Sequence, residues 1–484
     1  LKETRVSGIW LGVALVAAVM LSGMASPAGC GQHDGSIEGY WKGVQDGGWA
    51  FVYQFIEISP ARYKGLIHVY KDDMKMEEVP IENVDFAAGK VKMRVKLNNI
   101  RIEGDLDPDG QAIQATYFYQ DGTSLDMPLV RVEPGSLTGL TARPVAPGEK
   151  YVYKYAKPGD VGDGWKTASL ESQDVDRKPI EALVTAVAAG DFGYIHSLVI
   201  ARNGKLVLDE YFYGYDSEAM HRLASVTKSV TSLLVGIAID RQEIGGVDEK
   251  VAAFFPNYAA GMAAGWENVT LGDILSMSAG AAWDQDDLAG FYESGDRFGV
   301  VFRQPVTAMP GEKFEYVSPN VDLFAGVIKH ATGMHADAYA DRYLFGPLEF
   351  GAYDWEAGKW EGYPLMDGSL RLRPRDMAKL GQVVLDGGEW DGERIVSAGW
   401  IDVSTAAHMD ADGPDDYGYL WWLTSAPFEG RTVRGIFANG WGSQFVFILP
   451  DYNLVVVTTG GNDDNGKHLA PLKMFPEYIL PALK

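Results

Sequence analysis

Between residues 90 and 97 the chain reads Lys90-Val91-Lys92-Met93-Arg94-Val95-Lys96-Leu97, charge and apolar side chain alternating at every step. Only a strand with one wet face and one buried face gives a period of two. Similar runs lie at 51–58, 63–70, 100–106, 113–119 and 127–132. Polar turns divide them: Asn98-Asn99, Asp107-Pro108-Asp109-Gly110 and Asp121-Gly122. Residues 37–132 are therefore predicted to be all β, an antiparallel meander closed or nearly closed into a small barrel. No catalytic set gathers in this stretch, which reads either as a ligand-binding barrel or as a spacer and packing module.

The pattern changes after residue 132. A connector rich in Pro and Gly runs from 133 to about 168, with Glu133-Pro134-Gly135, Arg143-Pro144, Pro147-Gly148 and Pro158-Gly159. Helical and strand patterns then alternate over 169–484. Apolar runs within 195–208 flank Asn203-Gly204, a strong hairpin signal. Residues 225–241 read as a helix with Val226, Val230, Leu233, Leu234, Ile237 and Ala238 on one stripe. A second hairpin joins 444–449 to 454–459 through Pro450-Asp451-Tyr452-Asn453. This half is predicted to be a mixed α/β (α+β) domain, a sheet with antiparallel parts covered by helices.

At 484 residues the chain is long enough for two or three domains, and 46% hydrophobic with 22% charged residues is globular. A net charge of −24 argues against nucleic acid or anionic lipid as a partner, since a phosphate-binding surface needs a basic field. The single cysteine, Cys30, excludes an intrachain disulfide and argues against a zinc cluster or a thiol protease. Its position is informative. Lys2 and Arg5 precede an apolar run at 9–24, and the small residues Ala28 and Gly29 precede Cys30, as in a signal peptide. The run is short for a membrane span. The small residues before Cys30 resemble the lipobox of bacterial lipoproteins, with Pro27 where that motif usually has leucine. Residues 1–30 are expected to act as a signal peptide with Cys30 acylated, placing the protein in the periplasm or on a membrane through that lipid alone. A plain signal peptide with an incidental cysteine is the other reading.

The chemistry lies in Leu223-Ala224-Ser225-Val226-Thr227-Lys228-Ser229-Val230, the one Ser-x-x-Lys of the chain. It opens the predicted helix, and residues three apart share a helix face. Ser225 and Lys228 would lie side by side, and a partly desolvated lysine near a helix N-terminus can take a proton from a serine. The N–H of Ser225, at the helix start, can donate to a developing oxyanion. On this segment alone, an N-cap serine with a solvated lysine is an equal reading.

Pro310-Gly311-Glu312-Lys313-Phe314-Glu315-Tyr316 breaks the tie. Together with the Ser225/Lys228 pair it resembles the serine hydrolase family related to class C β-lactamases, which also holds D-amino-acid peptidases, short-chain esterases and 6-aminohexanoate-oligomer hydrolases. The resemblance covers about residues 150–480. Gly162-Asp163-Gly164-Trp165, the Asn203-Gly204 hairpin, the segment Leu370 to Ala378 and Tyr417-Gly418-Tyr419-Leu420-Trp421-Trp422 look most like the oligomer-hydrolase branch. The resemblance implies a β-lactamase-like, penicillin-binding-protein-like domain with an antiparallel sheet and a helical subdomain. It also implies that Tyr316 shares the base role with Lys228 and passes a proton to the leaving group. Residues 37–132 are similar to the lipocalin-like domains found ahead of some such hydrolases.

One motif departs from the β-lactamases. Where they carry Lys-Thr-Gly, this chain has Gly440-Trp441-Gly442-Ser443-Gln444. The missing lysine removes the charge that would hold a β-lactam carboxylate, and Ser318 replaces the asparagine common there. An N–H of Ser443 or Gln444 is expected to complete the oxyanion hole. Trp441, Gly442, Ser318 and Tyr417 are expected to line the substrate cleft. The expected activity is hydrolysis of a small-molecule or short-peptide ester or amide through an acyl-enzyme, with no metal or cofactor. The rivals are a β-lactamase or D-peptidase on cell-wall peptides, and a surface lipoprotein that binds cell-wall peptide or lipid without turnover. His196 reads as a packed core histidine, His330 and His335 have a poor metal spacing, and Asp284, Asp286 and Asp287 read as a solvated loop, with contact to substrate as the other reading.

Overall fold

The computed structural model describes residues 36–483 apart from 46–47, 60–61, 72–73, 96–98, 134–141, 144–150, 356–361, 412 and 463–465. The expected leader and Cys30 lie outside the described residues. No helix among the described residues is long and apolar enough to cross a membrane. The chain forms two compact units that divide after Leu140.

The first unit is an antiparallel sheet of nine strands: β1 (Gly39–Gln45), β2 (Trp49–Ser59), β3 (Arg62–Lys71), β4 (Met74–Ala87), β5 (Lys90–Val95), β6 (Ile100–Leu106), β7 (Ala112–Phe118), β8 (Ser124–Asp126) and β9 (Leu129–Val132). Neighbours in sequence pair from β1 to β7, β9 pairs with both β7 and β1, and the sheet closes on itself. In β5 the odd-numbered Val91, Met93 and Val95 are buried and the residues between them exposed. The inward set fills the interior with Trp41, Tyr53, Phe55, Val91, Ile102, Ile113 and Leu129, and Tyr117 donates to Tyr53 at 2.7 Å across it. Burying each large apolar side chain contributes roughly 1.5–3 kcal/mol.

In the second unit the short β10 (Lys166–Thr167) pairs with β12 (Lys205–Tyr211), which forms a hairpin with β11 (Ile195–Arg202). Two small ribbons pair β13 (His221–Arg222) and β14 (Asp354–Trp355) with β15 (Leu370–Leu372), and β16 (Glu389–Trp390) with β17 (Glu393–Arg394). β18 (Met409–Asp410), β19 (Asp415–Tyr417), β20 (Trp422–Phe428), β21 (Arg431–Gly440), β22 (Gln444–Leu449) and β23 (Leu454–Gly460) complete the main sheet, in the order β10-β12-β11-β23-β22-β21-β20-β19-β18.

Helices cover both faces of this sheet. They include α1 (Arg177–Ala188), α2 (Val226–Asp240), α3 (Leu271–Leu275), α4 (Gln285–Glu293), α5 (Arg297–Arg303), α6 (Ser318–Val321), α7 (Leu323–Thr332), α8 (Ala336–Ala340) and α9 (Pro374–Leu385). Val199 and Ala201 of β11 enter one core with α2 and α9. Leu198 and Ile200 enter the other with α1 and the C-terminal helices. Side chains that alternate across a strand here meet apolar neighbours on either side. Part of the segment that reads as a connector belongs to this unit. Tyr155 and Trp165 are buried in its cores, and Asp163 pairs with the buried Arg375 at 2.6 Å.

Candidate active site

Ser225 occupies the N-cap position of α2, but its hydroxyl caps nothing. Instead it accepts from Lys228 Nζ at 2.9 Å, one helical turn on. Ala224 just before it has φ +45°, a left-handed backbone that costs a residue with a Cβ about 1–2 kcal/mol. That turn swings the chain from β13 into α2 and leaves Ser225 half-buried rather than enclosed. Met277, Leu420 and Ser443 also have positive φ, at 58°, 62° and 72°. Each is tied to this neighbourhood: the Met277 carbonyl receives the N–H of Glu315, the Leu420 carbonyl receives Ser229 Oγ of α2, and Ser443 follows Gly442. Strain of this kind persists where the surrounding structure over-determines it.

Lys228 is 1% exposed. Its second partner is the main-chain oxygen of Asp367, at 2.8 Å. Among the described residues no carboxylate lies within ion-pair distance of it, so its neighbours are a hydroxyl and a carbonyl. The Asp367 peptide is itself pinned. Met366 donates its N–H to Asp322 Oδ1 at 3.0 Å and accepts Thr231 Oγ1 at 3.0 Å, while Arg222 Nε reaches the Gly368 carbonyl at 3.3 Å. Asp322 in turn holds Arg297, both fully or nearly fully buried. The Asp367 carboxylate accepts the Tyr292 hydroxyl at 2.6 Å. Burial, and then the Asp367 charge, push the Tyr292 phenol well above its ordinary value.

Tyr316 approaches from the other side, with Lys228 Nζ 5.2 Å from its ring centre. The ring is stacked on Trp422 at 5.8 Å and meets Tyr417 edge-on at 6.2 Å. The Glu315 N–H bond to Met277 and the Gly311 N–H bond to Ser278 fasten the segment that carries it. Tyr316 is 37% exposed, whereas Tyr417 behind it is buried, which pushes that phenol well up. Ser318 is half-buried at the first position of α6.

The Gly440–Gln444 segment is the tight turn from β21 into β22. A Cβ on Gly440 would stand 2.1 Å from the Leu223 carbonyl, so the absence of a side chain is what lets this turn lie against the strand end that leads to Ser225. The Ser443 side chain is committed to structure: its hydroxyl donates to the His468 carbonyl at 2.9 Å and accepts from Asn462 at 2.8 Å. Gln444 uses its amide to bond the Gly460 carbonyl at 2.6 Å. Trp441 is 54% exposed and stacked on His468 at 4.7 Å. The structure thus brings Ser225, Lys228 and Tyr316 together, sets the 440–444 turn beside them, and puts Tyr417 behind Tyr316 rather than at the surface.

The other polar signals fall elsewhere. His196 is buried and stacked on Tyr215 at 4.1 Å. His330 packs against Phe254 and His335 against Tyr363. No cluster suited to a metal ion occurs among the described residues. Asp286 and Asp287 correct the loop expectation, since α4 begins at Gln285, whereas Asp284 precedes it outside any helix and is exposed. Sequence pattern alone did not single out Tyr292, Asp367, Asp322 or Arg297. They come from four separate segments, and their polar spacing carries no periodic signal.

The fold and the site define a β-lactamase-like hydrolase domain, and comparison with known proteins agrees. The β-lactamase family model matches residues 195–468, more than half of the chain, and the chain belongs to that family. It is 25% identical over 288 residues to a 6-aminohexanoate-dimer hydrolase of Paenarthrobacter ureafaciens, covering 54% of this chain and 71% of that one. A Bacillus anthracis structure assigned as a 6-aminohexanoate-dimer hydrolase superimposes with a TM-score of 0.53 at 20% identity, over 61% of this chain and 82% of that one. EstCE1, a hydrolase with promiscuous acyltransferase activity, gives 0.53 at 15% identity over 64% of this chain and all of its own.

Proposed function

We propose that this protein is a serine hydrolase that cleaves a small ester or amide through an acyl-enzyme on Ser225. The observation that carries the reading is the contact between Lys228 Nζ and Ser225 Oγ at 2.9 Å, made by a serine that caps no helix and a lysine with no carboxylate partner among the described residues. With the lysine as free amine the same contact carries the serine proton to nitrogen. Ser225 Oγ attacks the substrate carbonyl, and its proton passes to the Lys228–Tyr316 pair. The oxyanion is held by the N–H of Ser225 and one from Ser443 or Gln444. The tetrahedral carbon then expels the alkoxide or amine, which takes its proton from Tyr316. Water attacks the acyl-enzyme by the same route in reverse and restores the Ser225 hydroxyl.

Two features favour a plain ester or amide over a β-lactam. The 440–444 turn holds no cation, and the nearby Lys467 donates to the Gly190 and Asp191 carbonyls. The exposed faces of Tyr316 and Trp441 offer apolar contact to an acyl or leaving group.

The test is turnover of a short-chain p-nitrophenyl ester by the protein and by Ser225→Ala, with nitrocefin run alongside and intact mass measured after fluorophosphonate treatment. The expected result is ester turnover and one adduct, both absent in Ser225→Ala, with nitrocefin cleaved slowly or not at all. Absence of both turnover and adduct in the unmodified protein would overturn the Ser225 mechanism.

A further inference from the structure

We propose that Tyr292 and Asp367 are positioning residues for Lys228: their hydrogen bond fixes the carbonyl that aims the Lys228 amine at Ser225. This rests on the acyl-enzyme reading above. A lysine ends in a point donor on a flexible four-carbon stem, so its direction is set by its acceptors. One acceptor here is Ser225 Oγ, which becomes an ester oxygen during the reaction and can no longer steer the amine in the same way. The other is the Asp367 carbonyl.

That carbonyl sits in the loop that leads to β15, where no strand partner among the described residues holds it. Its neighbours are fastened by Asp322, Thr231 and Arg222, and the bond that holds the side chain of residue 367 is the one from Tyr292. At 2.6 Å to a side chain that is 4% exposed, it is short and shielded from exchange with water. Tyr292 belongs to α4, outside the helix that carries Ser225 and Lys228, so the bond ties a third element to the proton-transfer pair. Burial raises the phenol well above its ordinary value, in keeping with Tyr292 as the donor of this bond.

The experiment compares Tyr292→Phe, Asp367→Ala, Asp367→Asn and the Tyr292→Phe/Asp367→Ala double variant in the full chain. The readouts are kcat and KM on the p-nitrophenyl ester, the rate of fluorophosphonate labelling, and Tm. A misaimed base slows the chemical step and leaves substrate binding alone. Tyr292→Phe and Asp367→Ala should therefore lower kcat and labelling by roughly 10- to 100-fold, with KM within about twofold. The double variant should be no slower than the slower single one, because both remove the same bond. Asp367→Asn keeps an oxygen for the Tyr292 hydroxyl and should retain activity to within about threefold.

A folded Tyr292→Phe with unchanged kcat would overturn the proposal. So would Asp367→Asn as slow as Asp367→Ala, for the charge and not the bond would then be acting. Should Asp367→Ala fail to fold, Tyr292→Phe decides by its kcat against its KM, and Asp367→Asn must still match the unmodified protein. Inactivity of the unmodified protein itself, with no adduct, would instead strike the acyl-enzyme reading.

Discussion

Strands β5 and β11 each pair antiparallel with a neighbour on both sides, yet their sequences are unlike. β5 alternates exposed and buried at every residue, whereas all eight residues of β11 are buried. The barrel has one interior to fill. The main sheet of the second unit separates two cores, with α2 and α9 on one face and α1 on the other. Alternation therefore reports how many faces of a sheet are covered, and its loss reports a second layer. The same contrast holds for polar residues. Lys90, Lys92 and Arg94 on β5 face water, but Thr227, Lys228, Ser229, Thr231 and Ser232 on α2 are all buried. Polarity that keeps its period belongs to solvent; on the enclosed helix Lys228, Ser229 and Thr231 spend theirs on hydrogen bonds, while the Thr227 and Ser232 hydroxyls have no partner among the described residues.

The largest expected effect sharpens that second contrast. Lys228→Met keeps the stem and removes the nitrogen. Ester turnover should fall by about 10³-fold or more, near 4 kcal/mol of transition-state stabilisation. Stability should stay level or rise, because a buried amine without a carboxylate partner is replaced by a flexible apolar chain. Turnover is read with the p-nitrophenyl ester and stability by urea unfolding. A Met variant that melts early and keeps its activity would make Lys228 a structural residue like its neighbours on α2.

Adjacent positions test the strands directly. In β11, Leu198→Ala and Val199→Ala should each destabilise, by about 2–4 kcal/mol and somewhat less for the valine, because each empties a different core. In β5 the neighbours should part: Val91→Ala costs about 1–2 kcal/mol, while Lys92→Ala stays within about 0.5 kcal/mol. Chemical denaturation of the four variants checks this. Equal costs at 91 and 92, or a tolerated change at 198 or 199, would break the comparison.

Much of both units was legible. The turn pair Asn203-Gly204 placed the β11–β12 hairpin, which forms with Asn203 at φ +52° and Gly204 at +70°. The alternation over 90–97 gave β5, and the apolar stripe from Val226 gave α2. Within the site, Ser225 and Lys228 were readable because one helical turn puts them on a common face. Tyr316 came from its resemblance to a family motif, since no local rule sets a tyrosine so far along the chain beside them. The supporting groups were not readable. Asp367 acts on Lys228 through its carbonyl, which every residue has, and its carboxylate meets Tyr292 only through tertiary packing. The α4 helix was hidden because Asp284, Asp286 and Asp287 favour a turn by composition.

A smaller effect concerns acid. Burial lowers His221 to about 4, against an ordinary value of 6.5, and its Nδ1 contacts the Ala219 carbonyl at 3.1 Å. Between those two values the unfolded chain binds a proton that the folded chain refuses, so stability rises with pH across that window. It is fully present above 6.5 and is lost as pH falls toward about 4. The slope contributed is at most about 1.4 kcal/mol per pH unit. His221→Phe keeps a packed ring and cannot titrate, so its unfolding free energy should fall less steeply between pH 6.5 and 4. Parallel curves for the two proteins would show that His221 does not contribute.

The smallest effect separates an exposed tryptophan from a buried one. Trp41 is fully enclosed in the barrel, whereas Trp441 is 54% exposed on the turn beside Ser225, resting on His468. Trp441→Ala removes no core volume, so unfolding free energy should stay within about 0.5 kcal/mol. If its face borders the bound substrate, KM for an aromatic ester should rise by about three- to tenfold with kcat little changed, the loss expected for one half-open aromatic contact. Lengthening the acyl chain of the ester separates the two sides of the cleft. A KM penalty that grows with acyl length puts Trp441 on the acyl side, and a constant penalty puts it against the leaving group. Unchanged KM across the series would return Trp441 to plain packing on His468.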